Sequence, residues 1–153
     1  MCRCASPIWV GGWSELYDYY ASQAVAVSGG YAYVADFYQG LLVFDISNPR
    51  APSLVGGVGW YYAYGQAYDV AVSGDYAYVV NWGSPSMDDN FEVVDISDPA
   101  APLRVGAIIG PHASDVAVSG SYAYLANDDA GLRLTSVWKK LIKPETRYTR
   151  VWM

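Results

Sequence analysis

The chain has 153 residues, 53% of them hydrophobic and 16% charged, with a formal net charge of −6. This composition excludes a mainly disordered chain and leaves enough length for one domain with a core of its own. The charge sits unevenly: residues 1–138 carry four basic and fourteen acidic groups, a net of −10 that repels nucleic acid and anionic membrane, and residues 139–153 carry +4.

Met1 to Ser6 matches nothing later in the chain. Cys2 and Cys4, the only cysteines, form a C-x-C pair with no third or fourth ligand nearby, so no metal and no cofactor is expected. Residues 1–12 (MCRCASPIWVGG) lack the uninterrupted apolar core of a signal peptide, and no run of eighteen apolar residues offers a membrane span. Pro7-Ile8-Trp9-Val10-Gly11-Gly12 reads as a short strand opened by proline, and it returns as Pro52 to Gly57 and Pro102 to Ala107. A tyrosine-rich segment follows the first two of these strands (Tyr17, Tyr19, Tyr20; Tyr61, Tyr62, Tyr64, Tyr68). After the third it shrinks to Gly110-Pro111-His112-Ala113-Ser114.

Next comes the most regular stretch, Ala24 to Ala35, repeated as Asp69 to Val80 and Asp115 to Ala126 at spacings of 45 and 46 residues. Each copy joins two alternating apolar runs through Ser-Gly and one variable residue (Gly30, Asp75, Ser121), which predicts a β-hairpin. In the second copy Val70 and Val72 share one face and Ala71 the other; Tyr76 and Tyr78 oppose Ala77 and Val79. Alanine recurs at equivalent positions (Ala32, Ala77, Ala123), as expected where another layer approaches closely. A loop and a third strand follow: Leu41 to Ser47 in the first copy, Phe91 to Ser97 in the second. Asn48-Pro49 and Asp98-Pro99 turn the chain into the next proline-opened strand, and Asp45 and Asp95 are expected to accept local amides there. Nothing before residue 135 patterns as a helix of ten residues or more.

Four short strands in 45–50 residues match the length of one propeller blade. The stretches Tyr31 to Val58 and Asp69 to Asn81 resemble the LVIVD repeat of bacterial and archaeal proteins, over about residues 7–135. The resemblance implies an all-β, β-propeller-like fold of three four-stranded antiparallel blades in an open arc, and no catalytic residues. It also implies an extracellular or cell-surface location. The units divide as an extension over 1–6, repeats over about 7–51, 52–101 and 102–138, and a basic tail over 139–153 that leaves the repeat pattern. The third repeat departs from the family where Gly131 to Trp138 replaces the expected Asp-Ile-Ser-Asx-Pro.

Counting one lone fourth-type strand (8–13), three hairpins, three third-type strands and two further fourth-type strands gives 1 + 6 + 3 + 2 = 12, three blades' worth. Propellers close with about four to eight blades. Three therefore suit either a piece of a longer array or half of a two-fold, six-bladed ring, a homodimer in which the lone strand completes the partner's third blade.

For chemistry, His112 is the only histidine, and no nucleophile elbow, zinc-protease or phosphate-loop motif is present, so no enzyme is expected. Asp69 and Asp115 open equivalent strands of adjacent units and can face a shared central opening; Ala24 stands there in the first copy. Structural capping or ligand binding would suit them. Asp88-Asp89-Asn90 and Asn127-Asp128-Asp129 lack the alternating ligands of a calcium loop and read as turns. Two functions fit: a non-catalytic scaffold for protein or cell-surface interactions, or a carbohydrate-binding module. The second would stack sugars on Trp13, Tyr19, Tyr20, Trp60, Tyr61, Tyr62 and Trp82, with Asp69, Asp115 and His112 as hydrogen-bonding groups.

Overall fold

A computed structural model describes residues 8–13, 21–59, 66–82, 89–109, 113–127 and 131–137. They form three antiparallel sheets. The first comprises β1 (Ser22–Ser28), β2 (Tyr31–Asp36), β3 (Gly40–Asp45) and β4 (Ser53–Val58), paired in that order. The second repeats it with β5 (Gln66–Ser73), β6 (Tyr76–Trp82), β7 (Asp89–Asp95) and β8 (Leu103–Ile109). The third has three strands, β9 (Ala113–Ser119), β10 (Tyr122–Asn127) and β11 (Gly131–Ser136). No helix occurs among the described residues, so none there is long and apolar enough to cross a membrane. Each sheet is a blade, the inner strands β1, β5 and β9 stand side by side, and the arc they begin stays open.

Each hairpin predicted from the repeat is present. Ser28 pairs with Tyr31, Ser73 with Tyr76 and Ser119 with Tyr122, leaving two-residue loops. Gly29 and Gly30 have φ of 57° and 82°, and Gly74 and Gly120 both 61°. Two-residue loops need such left-handed residues to match strand twist, which is why Ser-Gly recurs.

The cores lie between blades. Tyr33, Ala35, Leu41 and Val43 of the first blade are buried against Ala67, Val70, Ala77 and Val79 of the second. Tyr78, Val80 and Phe91 on the second blade's other face are buried against Ala113, Val116 and Ala123 of the third. A tyrosine of one blade thus shares its cluster with the small second-strand alanine of the next, a large side chain set against a small one.

The Asx-Pro turns bond as expected. Ser47 N donates to Asp45 Oδ1 (2.8 Å) and Arg50 N to Asn48 Oδ1 (3.1 Å). In the second blade Ser97 N donates to Asp95 Oδ1 (2.9 Å) and Ala100 N to Asp98 Oδ1 (3.0 Å). The third blade keeps the preceding step without the motif: Val137 N donates to Ser121 O (2.7 Å), as Ile46 N does to Gly30 O and Ile96 N to Asp75 O.

One expectation fails. Residues 8–13 form no strand, so the described residues hold eleven strands and not twelve. A strand exists only by its ladder, and among the described residues no third-type strand lies beside Val10 and Gly11. The segment instead packs on the first blade, where Trp13 meets Phe44 edge-on at 5.1 Å between centroids and covers Ala32, Leu42 and Phe44.

Candidate functional site: the variable rim and its inner-strand carboxylates

The two ends of the blades differ. At one end lie the two-residue hairpin loops of all three blades and the Asx-Pro turns of the first two, each of constant length. At the other, β1, β5 and β9 begin, β4 and β8 end, and the second strand passes to the third. Every segment whose length changes between copies joins strand ends at this second rim: Phe37 to Gln39 against 83–88, and 59–65 against 110–112. Tyr20, Trp60, Tyr61, Tyr62 and His112 belong by sequence to this rim but lie outside the described residues, as does the Trp82 side chain. Trp13 is described, half-buried, with its ring meeting Phe44 edge-on.

Asp69 and Asp115 are described, and the fold brings them together. A β-bulge at the same place in each inner strand contributes: Gln23, Tyr68 and Ser114 are each the extra residue, immediately before Ala24, Asp69 and Asp115. Asp69 Oδ2 accepts the main-chain amide of Val116 at 2.7 Å, a bond from the second blade to the third. The Asp115 carboxyl lies within hydrogen-bonding reach of Asp69. Asp69 is half-buried and Asp115 exposed. Burial, then the Asp115 hydrogen bond and charge, hold the Asp69 carboxyl above the usual carboxylate range, against the downward pull of the Val116 and Val70 amides. This pair therefore acts first as a link between blades. The bulged Tyr68 beside it meets Phe37 of the first blade at 5.9 Å, so the same strand is tied on both sides.

Two further polar positions escaped the sequence reading. Asp36, wholly buried at the end of β2, gathers amides: Tyr38 N and Gln39 N reach Oδ1 at 3.0 Å each, and Ala21 N reaches Oδ2 at 2.8 Å. Its equivalents Asn81 and Asn127 are buried as well, and the Asn81 amide has no hydrogen-bond partner among the described residues. The signal was present, an Asx closing the second strand in all three copies, yet it looked like the start of a loop. Glu92, equivalent to Leu42, is buried and pairs with Arg104 Nε at 3.5 Å. Nothing in its β7 pattern marked that pair. Among the described residues no group of three His, Cys, Asp or Glu could hold a metal.

An all-β array of near-identical blades, opened at both ends and carrying variable loops on one rim, defines the class: a β-propeller-like repeat protein. The LVIVD repeat profile matches residues 21–59, 64–108 and 110–134, most of the chain, and the protein belongs to the LVIVD repeat family. No curated protein matches the chain.

Proposed function

We propose that the protein is a non-catalytic scaffold whose variable rim binds a protein or another component of a cell surface. One observation carries this reading: the two-residue hairpin loops and the Asx-Pro turns of the first two blades, constant in length, collect at one rim and the variation in loop length at the other. Loops vary where they serve recognition, while a scaffold holds them in place. The carboxylates support it, since Asp36, Asp45, Asp69 and Asp95 each spend an oxygen on main-chain amides.

The test exchanges the rim and leaves the blades. Replacing Trp60-Tyr61-Tyr62 by Ser-Gly-Ser should leave the far-ultraviolet spectrum and melting temperature unchanged. It should abolish capture of the partner found by in-cell cross-linking and rebuilt from purified components. A glycan array bound by the parent and not by this variant would move the assignment to sugar binding. Turnover of any ester, glycoside or phosphate in a substrate panel, lost in Asp69→Asn, would overturn the scaffold reading.

A further inference from the structure

We propose that the variable rim receives an arginine-bearing segment of a protein partner, its guanidinium set between the Phe37, Tyr38 and Tyr68 rings and the carboxylates of Asp69 and Asp115. This inference deepens the scaffold reading and rests on it.

The rings and carboxylates form one line across three blades. Tyr38 meets Phe37 edge-on at 4.9 Å between centroids, and Phe37 meets Tyr68 of the second blade at 5.9 Å. Tyr68 precedes Asp69, whose Oδ2 accepts Val116 N of the third blade at 2.7 Å beside the Asp115 carboxyl. Main-chain bonds hold the outermost ring in place. Tyr38 N and Gln39 N both donate to buried Asp36 at 3.0 Å, and Phe37 N donates to Ala21 O at 2.9 Å. On this anchored loop the Tyr38 side chain is 56% exposed. A ring positioned by its backbone and open to solvent loses little entropy when a ligand settles on it.

Charge selects the occupant. Neither Asp69 nor Asp115 has an ion-pair partner among the described residues. Arg50 and Arg104 lie toward the opposite rim, in the Asx-Pro turn and near the start of β8, and Arg133 is mid-strand in β11. The segments 37–39, 59–65, 83–88, 110–112 and 128–130, which join strands at the variable rim, contain Asp88, Asp128 and Asp129 and no lysine or arginine. The field at this rim is therefore negative, and it steers and holds a cation. Calcium asks for six or more oxygens, whereas the described residues bring only two carboxylates together here, a number that suits an organic cation. Among the cations a protein offers, guanidinium is flat, stacks on aromatic faces and forks onto carboxylates, while an ammonium is a strongly hydrated point charge. A run of rings leading into a carboxylate pair matches the guanidinium.

Titrating the 153-residue chain with a capped Gly-Arg-Gly-Arg-Gly peptide, read by amide chemical shifts, should move Tyr38, Tyr68, Asp69 and Val116 and leave Asp75 at the opposite rim unmoved. The same peptide with citrulline for arginine, close in shape and uncharged, should not bind. Asp115→Asn, at an exposed position, should weaken binding about threefold or more. Tyr38→Ala should weaken it about two- to fivefold, and Tyr38→Phe should bind as the parent does. Asp75→Asn removes an exposed charge from the opposite rim and should change nothing. No response to the arginine peptide, equal binding of the citrulline peptide, or an equal loss in Asp75→Asn would overturn this inference. A sugar that shifts these amides while the arginine peptide shifts none would overturn it as well. Capture of a protein partner that survives both Asp115→Asn and Tyr38→Ala would overturn it and leave the scaffold reading standing, which the exchange of Trp60 to Tyr62 tests separately.

Discussion

Asp69 does two separable things, and two substitutions distinguish them. Asp69→Ala removes the acceptor of the Val116 amide, which sits on a residue only 5% exposed. A buried donor left without a partner costs about 1–3 kcal/mol. For a domain of this size each kcal/mol moves the melting temperature by about 2–4 °C, so a cost near the middle lowers it by about 4–8 °C. Asp69→Asn keeps an acceptor for Val116 and offers Asp115 a donor in place of a charge, so at neutral pH it should be at least as stable as the parent. The sign of the pH dependence follows from the raised Asp69 carboxyl: between its ordinary value of 3.8 and its folded value the native state holds the extra proton. Its contribution to stability is full below 3.8 and is lost as pH rises through the folded value. Asp45 and Asp95 run the other way. The Ser47 amide and the Ser97 hydroxyl and amide hold them below 3.8, and their contribution disappears as pH falls. Thermal unfolding followed by circular dichroism from pH 3.5 to 8 therefore isolates Asp69 by difference. The stability of Asp69→Asn minus that of the parent should climb from acid to neutral pH and then level off. A flat difference, or an Asp69→Ala as stable as Asp69→Asn, would refute the role assigned to the pair.

Other expectations follow from the same geometry. Gly56→Ala drives a methyl into the Pro99 carbonyl, backbone against backbone, and should cost about 3 kcal/mol, the upper end of overpacking. Gly74→Ala meets no atom within 4 Å and strains only a φ of 61°, so it should cost about 1 kcal/mol; equal losses in urea melts would count against the blade-to-turn contact. Asp36→Ala strands the amides of Ala21, Tyr38 and Gln39 and should cost about 3 kcal/mol or more. Hydrogen exchange checks it: Tyr38 and Gln39 should lose protection, and retained protection would mean that the loop is held by something else.

Gly11 and Gly56 show how far the pattern could be read. Both stood in the sequence as part of a repeated Val-Gly-Gly strand, and the repeat alone placed them in equivalent roles. What the glycines are for, a neighbouring blade's proline turn at a distance no side chain tolerates, needed two blades side by side. Asp45 and Asp95 were legible because their partners lie two residues away, and short-range hydrogen bonds follow from local order. The partner of Asp69 lies 47 residues away, and the bulge at Tyr68 that precedes it has no sequence signature.

The sequence by itself determined the unit: a threefold recurrence of alternating apolar runs joined by Ser-Gly, with Asx-Pro turns in the first two copies, compels antiparallel blades with apolar faces on both sides, four-stranded in those two copies. It also assigned the family. Only the tertiary structure decided which faces are covered, that residues 8–13 leave the ladder to pack on the first blade, and that Asp69 and Asp115 meet. The reason is physical. Turns and strand alternation are set by neighbours along the chain, whereas burial and hydrogen bonds between blades depend on what a separate blade brings into contact.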